Sequence, residues 1–456
     1  MSAAVLTPDL CIVGAGSGGL SVAAGAAQLG ASVVLVEGGE MGGDCLNFGC
    51  VPSKALLSAG ARGLAWEAAL AHVREAIAAI APHDSQARFE GLGVTVLRGW
   101  ARFTGPRELA VGETRIRPRR VVIATGSSPA APPVPGLETV PHLTNETLFE
   151  PRPRPDRLLI LGGGPIGIEM ALAHRRLGCA VTVIEAGRAL GRDDPEAAAV
   201  VLEALRAEGV EIRERTSVAR AETTATGVAL IDDTGARHEG DALLVAAGRK
   251  PNLDRLDLPA AGIEAGPAGV TVDRGLRSSN ARVYAIGDAA GGPQFTHVAG
   301  WHGGLVVRSA LFRLPVRTDR SPIPRVTYAN PELAQVGLTE AEAREAHGDR
   351  LEVIREAFTG NDRAVTEGET AGFLKLMAVK GRPVGVTIVG RGAGDLILPW
   401  VLAMSAGLKL TALTGMIAPY PTRGEISKRA AGSYFTPRLF GSPWPKRVVR
   451  LLSKLP

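Results

Sequence analysis

Two stretches of this chain repeat one pattern in register. The first runs Leu10-Cys-Ile-Val-Gly14-Ala-Gly16-Ser-Gly-Gly19 and on to Val33-Val-Leu-Val-Glu37; the second runs Leu158-Leu-Ile-Leu-Gly162-Gly-Gly164-Pro-Ile-Gly167 and on to Val181-Thr-Val-Ile-Glu185. In each, an apolar run ends in G-x-G-x-x-G, an Ala-rich helical stretch follows, and a second apolar run ends in a carboxylate. Gly14 and Gly162 are 148 residues apart, as are Glu37 and Glu185. Short apolar runs bounded by glycine read as buried parallel strands. The first glycine makes the tight turn, the second lets the backbone approach a pyrophosphate, and the third lets helix pack on strand. The helix N-terminus then offers N–H groups and the positive end of its dipole to the phosphates. The closing carboxylate accepts from a ribose 2′-hydroxyl and repels a 2′-phosphate, so Glu185 favours NADH over NADPH. The chain is therefore α/β, with two Rossmann-like dinucleotide-binding units.

Glu150-Pro-Arg-Pro-Arg-Pro-Asp156 can be neither helix interior nor central strand, which places a junction just before the second unit. A Pro/Arg-rich stretch, 314–325, separates a further region. These breaks give a first dinucleotide domain over 1–148, a second over 149–250, a return to the first over 251–320, and a C-terminal α+β domain over 321–456. In the last, 325–328 and 385–389 read as strands, and 339–346 and 395–406 as helices.

Of the 456 residues, 45% are hydrophobic and 21% charged, the balance of a folded chain. The net charge of +5 is small for this length, and the basic clusters lack interleaved aromatics that would stack on bases, so no nucleic-acid partner is expected. The apolar stretch 396–408 is too short to span a bilayer, and no basic n-region precedes an apolar h-region at the N-terminus; the expected location is cytoplasmic. Cys11, Cys45, Cys50 and Cys179 are too few for a disulfide scaffold of this size, so a cysteine pair here reads as catalytic.

That pair lies in Gly42-Gly43-Asp44-Cys45-Leu-Asn-Phe-Gly-Cys50-Val-Pro-Ser-Lys54. The segment resembles the redox-active disulfide signature of the FAD-dependent pyridine nucleotide disulfide oxidoreductases, the family of dihydrolipoamide dehydrogenase, glutathione reductase and mercuric reductase. Val121-Val-Ile-Ala-Thr125-Gly126, Leu243-Leu-Val-Ala-Ala-Gly248-Arg249-Lys-Pro-Asn252 and Val283-Tyr-Ala-Ile-Gly-Asp288 resemble its later markers. Tyr328-Ala-Asn-Pro-Glu332 and Val336-Gly-Leu-Thr339 resemble the start of its dimerisation domain.

The resemblance implies a Cys45–Cys50 redox disulfide. The C-x4-C spacing, with no second Cys/His pair nearby, does not suit a metal site. A thiolate formed at a helix start is stabilised by the helix N-terminus, which lowers its pKa. The family's FAD would be held by Gly14, Gly16, Gly19 and Glu37, with Gly43, Lys54, Ala101, Thr125, Gly126, Asp288 and Val298 completing the cradle. The nicotinamide nucleotide would lie on Gly162, Gly164, Gly167, Glu185 and Gly248. Lys54 and Glu169 would meet as an ion pair beside flavin N5. Hydride would pass from NADH to the flavin, which reduces the disulfide through Cys50 and leaves Cys45 to attack the acceptor.

Disulfide-reducing members carry a C-terminal His before Pro-Thr and a following Glu; that His comes from the partner subunit and shuttles protons. Here the stretch is Ala418-Pro-Tyr420-Pro-Thr422-Arg-Gly-Glu425, and no His follows His347. A phenol near pKa 10 in place of an imidazole near 6.5 is a difference of about 5 kcal/mol in the wrong direction for a base at pH 7. Tyr420 instead matches mercuric reductases, in which a soft metal ion takes electrons without a thiol leaving group to protonate. The segments 82–85 and 90–94 also resemble mercuric-reductase-like members. Against mercury detoxification stand the lack of any Cys after Cys179, the expected lack of an N-terminal metal-carrying domain, and the NADH preference read from Glu185. His142, in Pro141-His142-Leu-Thr-Asn145, stands where mercuric-reductase-like members have Tyr, and is a candidate for the missing proton shuttle or simply a loop His. His297 matches a segment along the flavin and reads as packing.

Trp444, Val448, Leu451, Leu452 and Leu455 form an apolar stripe at helical spacing, with Lys446, Arg447, Arg450 and Lys454 opposite. This basic amphipathic tail, within 437–456, suits either docking on the dimer or peripheral contact with an anionic membrane. The expected protein is a homodimer whose active site is shared across subunits, oxidising NADH through FAD and the Cys45–Cys50 pair. Its acceptor would be a small thiol-reactive molecule or metal ion. Alternatives are a dihydrolipoamide-dehydrogenase-type disulfide reductase, and a membrane-docked redox sensor of low turnover; on a membrane, the tail would bring the enzyme to a quinone or membrane-bound acceptor.

Overall fold

The computed structural model describes residues 5–319 and 322–455. It divides into two compact units, one of Met1–Gly163, Ala173–Ala186 and Thr216–Arg320, the other of Gly164–Leu172, Gly187–Arg215 and Ser321–Pro456. The elements that bear on the two glycine turns and the cysteine pair are β1 (Leu10–Val13), α1 (Ser17–Gln28), β2 (Val33–Glu37), α2 (Gly43–Asn47), α3 (Cys50–Ala61), β3 (Thr95–Arg98), β4 (Arg120–Ile123), β5 (Arg157–Leu161), α4 (Pro165–Arg176), β6 (Ala180–Ile184), β7 (Ala242–Val245), β8 (Val283–Ala285) and α5 (Thr296–Phe312).

Five strands form a parallel sheet in the order β8-β4-β1-β2-β3. Both of its faces are covered. Leu10 and Ile12 pack with Val22, Ala23 and Ala26 of α1 and with Val306 and Ala310 of α5. Cys11 and Val13 point the other way, against Phe103, Leu109 and Ile116. Double burial is why these strands read as unbroken apolar runs rather than as alternation. Burial also pushes the Cys11 thiol up to about 12 and that of Cys179 up to about 11, which leaves both inert near neutral pH. A second parallel sheet, β6-β5-β7, buries Leu159, Leu161, Ile184, Leu243 and Val245.

In the second unit β9 (Arg325–Thr327), β10 (Glu332–Gly337), β11 (Leu351–Ala357), β12 (Phe373–Val379) and β13 (Arg382–Gly390) form an antiparallel sheet in the order β9-β10-β13-β12-β11. Its core holds Ala334, Leu374, Leu376, Val386, Ile388 and Trp400. The helix expected from Thr339 is α6 (Glu340–His347). Thr339 and Glu342 close a reciprocal capping box there, satisfying two otherwise orphaned donors. The helix expected over 395–406 is two segments, Ala393–Leu396 and Leu398–Ser405, because Pro399 lacks the N–H that would continue the first turn. The fold is thus α/β with parallel dinucleotide-type sheets, joined to a C-terminal antiparallel domain. That domain ends in α7 (Glu425–Phe440) and α8 (Pro443–Leu452).

Buried Lys375 is the ionic anchor of the second unit. Its ammonium lies 3.0 Å from Asp194, 2.8 Å from Glu196 and 3.0 Å from Glu340. A cation taken out of water needs such partners, since an unpaired one costs several kcal/mol.

Candidate active site

The sequence repeat is also a repeat of hydrogen bonds. Gly14 N donates to Val36 O at 2.8 Å, and Gly162 N to Ile184 O at 2.9 Å. Ala15 N donates to Glu37 Oε2 at 2.6 Å, and Gly163 N to Glu185 Oε2 at 2.7 Å. Ala124 N reaches Val13 O and Ala246 N reaches Leu161 O, both at 2.8 Å. Each G-x-G-x-x-G is therefore a tight turn clamped by the strand beside it, with the closing glutamate held across its mouth. A Cβ on Gly14, where φ is +107°, would lie 2.3 Å from Ala124 O, and one on Gly162 would lie 2.5 Å from Ala246 O. Only glycine fits either place. Gly19 would meet the Gly14 carbonyl at 1.9 Å and Gly43 the Gly16 Cα at 2.7 Å, whereas Gly126, Gly164 and Gly248 face open space. Gly167 lies in the first turn of α4.

Around the first turn the expected cradle residues fall in the same unit. Thr125 follows β4, and its Oγ1 is buried with no hydrogen-bond partner among the described residues. An orphaned buried hydroxyl calls for a polar ligand atom. Asp288 accepts from Ser127 Oγ at 2.6 Å, and burial holds its carboxyl above the usual range. Val298 is buried on α5, and Ala101 is buried at the start of a small sheet strand. Glycines that a Cβ would fill, an orphan hydroxyl and a carboxylate across the turn fit a dinucleotide such as FAD.

Cys45 sits on α2, and Cys50 is the first residue of α3. Both are free thiols, Cys45 half-buried and Cys50 exposed. A hydrogen bond from the Cys45 thiol brings the Cys50 thiol down to about 6, against the cost of burial. The Thr296 hydroxyl, 3.3 Å from Cys50 Sγ, and the ammonium of Lys54 add to it. The same coupling pushes Cys45 up. The pair is thus polarised: a thiolate at Cys50 beside a protonated Cys45. Lys54, one turn along α3, has Nζ 3.4 Å from Ser53 Oγ.

A polar chain ties this loop to the cradle. Asp44, next to Cys45, accepts from Asn145 Nδ2 at 2.8 Å and pairs with Arg249 at 3.2 Å. Arg249 Nε donates to Ser127 Oγ at 2.8 Å, and Ser127 in turn bonds Asp288. The sequence marks neither Thr296 nor this relay of Asp44, Asn145, Arg249 and Ser127 as site residues, although Asp44, Asn145 and Arg249 stand inside the quoted motifs. Asn145 also brings the loop bearing His142 to the cysteine turn, through a 3.3 Å bond to Phe48 O. His142 Nδ1 lies 2.9 Å from Val140 O. A carbonyl can only accept, so Nδ1 carries the proton and Nε2 the lone pair. His297 stacks on Phe295.

Five expected site residues belong to the second unit: Gly164 and Gly167 of the second glycine turn, Glu169, Tyr420 and Glu425. Glu169, buried on α4, accepts from Tyr328 N at 2.9 Å. Tyr420 is 71% exposed and its hydroxyl donates to Asp362 at 2.9 Å; that bond and the carboxylate charge hold its pKa above the usual phenol value. Glu425 opens α7 and accepts from Thr422 N at 3.2 Å.

Two dinucleotide turns, a polarised cysteine pair between them in sequence and an antiparallel C-terminal domain define a flavin-dependent dithiol oxidoreductase. A family model for pyridine nucleotide-disulphide oxidoreductases matches residues 8–303, and the model of that family's dimerisation domain matches residues 323–431. The chain belongs to this family of FAD-dependent enzymes. It is 35% identical over 448 residues to a mercuric reductase of Staphylococcus aureus, covering 93% of this chain and 82% of that one. It is 36% identical over 457 residues to a dihydrolipoyl dehydrogenase of Thermus scotoductus, covering 93% and 97%. Among solved structures it resembles the Cu(II) complex of the HOCl-induced flavoprotein disulfide reductase RclA from Escherichia coli. That match has a TM-score of 0.88 and 28% identity over 94% of this chain and 99% of that one.

Proposed function

We propose that this enzyme oxidises NADH and delivers two electrons, through Cys45 and Cys50, to a thiol-reactive metal ion. The observation that carries the proposal is Tyr420, at the position of the family's proton-shuttling His. Its phenol is bound to Asp362 and harder to ionise than a free tyrosine, so it offers no base near neutral pH. A metal acceptor needs none for a leaving thiol. The mercuric reductases at about 35% identity and the Cu(II) complex of RclA support the same reading.

Gly14, Gly16, Gly19, Gly43, Glu37, Ala101, Thr125, Gly126, Asp288 and Val298 would hold FAD, which when bound supplies the two-electron relay between nicotinamide and thiols. Gly162, Gly164, Gly167, Gly248 and Glu185 would hold the nucleotide, and the Glu185 carboxylate would repel a 2′-phosphate, hence NADH. Lys54 would stabilise negative charge on the reduced flavin and on Cys50. In the acceptor step both sulfurs bind a divalent soft ion such as Hg(II). The Cys45 proton leaves, a Cys45–Cys50 bond forms as both metal–sulfur bonds break, and the two electrons given up by the thiolates reduce Hg(II) to Hg(0). His142 would take that proton at Nε2. Tyr420 and Glu425 of a second copy would complete the site.

The test is steady-state NADH oxidation with Hg(II), Cu(II), lipoamide and glutathione disulfide. At least tenfold higher kcat/KM for a metal ion than for either disulfide is expected; equal or higher values for lipoamide would refute the reading. The second reading, a dihydrolipoyl-dehydrogenase-type enzyme, is favoured by the Thermus relative and would require His142 as the base. It requires His142→Phe to lower lipoamide turnover at least tenfold.

A further inference from the structure

We propose that the C-terminal helix α8 is a docking element for an anionic lipid surface. Among the described residues this helix fully buries no side chain. Trp444 is 69% exposed and Leu451 68%, with Val449, Leu452 and Leu455 also exposed. At 100° per residue, Trp444, Val448, Leu451 and Leu452 fall within one arc about 100° wide, and Lys446, Arg447 and Arg450 within another whose centre is about 140° away; Lys454 and Leu455 follow just after the helix. Among the described residues, none of these four cations pairs with a carboxylate. Phe440, at the end of α7, extends the apolar exposure toward the helix.

Charge identifies the occupant. No acidic residue follows Glu425, whereas Lys428, Arg429, Arg438, Lys446, Arg447, Arg450 and Lys454 do. Those seven cations exceed the whole chain's net charge of +5, so the preceding part is net acidic, at −2. Of the seven, Arg438 is bound to Glu352, which leaves the α8 set as the concentrated, unneutralised group. A protein partner with an apolar groove would suit the stripe alone. A lipid interface of negative headgroups over acyl chains matches stripe and flanking cations together, and attracts each Lys or Arg separately. The helix also lies outside the region matched by the dimerisation-domain model, which ends at residue 431. Exposed Leu398, Leu402 and Ile417 fall inside that match, so subunit pairing has an apolar surface of its own without the tail.

The experiment is co-sedimentation of the full-length holoenzyme with vesicles of phosphatidylcholine alone or with 30% phosphatidylglycerol. The expected result is binding to the phosphatidylglycerol vesicles, weakened by 0.5 M salt, and little binding to phosphatidylcholine. Reversing one cation, as in Arg450→Glu, should weaken binding at least about fivefold, and Lys446→Glu with Arg447→Glu, Arg450→Glu and Lys454→Glu should abolish it. Trp444 should report insertion as a blue shift in emission that is missing in Trp444→Phe. Equal sedimentation with both vesicle types, or undiminished binding by the fourfold variant, would overturn the proposal. So would a variant that splits the dimer in gel filtration while still sedimenting with vesicles, which would assign the tail to the subunit interface.

Discussion

Cys50 Sγ lies 3.3 Å from the hydroxyl of Thr296, a residue 246 positions further along the chain that opens the long helix α5. The contact joins two helix N-termini at one sulfur, and both favour negative charge there. With the Cys45 thiol as the strongest donor, it gives the pair its asymmetry: one sulfur ready as thiolate, the other holding its proton.

Thiolate formation at Cys50 should therefore titrate near 6 in the reduced enzyme. Rates of iodoacetamide labelling at Cys50, read by mass spectrometry, should rise through that pH. Thr296→Val should move the midpoint up by about one unit, the worth of one hydrogen bond to a charged sulfur. Cys45→Ser should also raise it, since a serine hydroxyl holds the sulfur less well than the native pair geometry. The folded value lies below that of an unfolded cysteine, near 8.5. The thiolate therefore contributes stability that is fully present above about 8.5 and lost as pH falls through about 6. An unchanged midpoint in Thr296→Val would remove Thr296 from this account.

Tyr420→His restores an imidazole where disulfide-reducing relatives carry one. Lipoamide turnover should rise at least tenfold, with a new pH dependence near 6.5, while metal-ion reduction changes less than threefold. Tyr420→Phe should leave metal-ion turnover nearly intact, because the hydroxyl is held by Asp362 rather than by a reacting group.

Glu185→Ala should narrow the preference for NADH over NADPH by about tenfold, and Glu185→Arg should narrow it further, as measured by kcat/KM with each nucleotide. The carboxylate also accepts from Gly163 N at 2.7 Å, so some loss with both nucleotides is expected.

Gly14→Ala puts a methyl 2.3 Å from the Ala124 carbonyl at a φ of +107°. FAD should be lost on gel filtration, and unfolding should become easier by about 2 kcal/mol or more. In the second unit, Lys375→Met should cost about 3–5 kcal/mol, because Asp194 is left buried without its cation.

Much of this was legible in the sequence because the chemistry is local there. Gly14 and Gly162, each 23 residues ahead of its glutamate, define turn, helix and strand within one βαβ unit, and the observed hydrogen bonds repeat with the same offset. Cys45 and Cys50 announce themselves by spacing. Thr296 does not: a threonine before His297 carries no signal of a sulfur 246 residues upstream, and only the parallel sheet brings α3 and α5 together. The relay from Asp44 through Arg249 and Ser127 to Asp288 is hidden for the same reason, being assembled from four stretches far apart in the chain. The break at Ile397 is local to Pro399, whose missing N–H outweighs the apolar run that reads as one helix over 395–406.

The polarised pair is proposed to serve a metal ion. The most direct test is anaerobic reduction of the holoenzyme with one equivalent of NADH, followed by stopped-flow mixing with Hg(II), Cu(II), lipoamide or glutathione disulfide. The long-wavelength thiolate absorbance of Cys50 beside the flavin is followed throughout. The expected result is that this band disappears at least tenfold faster with a metal ion than with either disulfide, and that Cys45→Ser abolishes the difference. Loss of the band fastest with lipoamide would contradict the account and make the enzyme a disulfide reductase despite Tyr420.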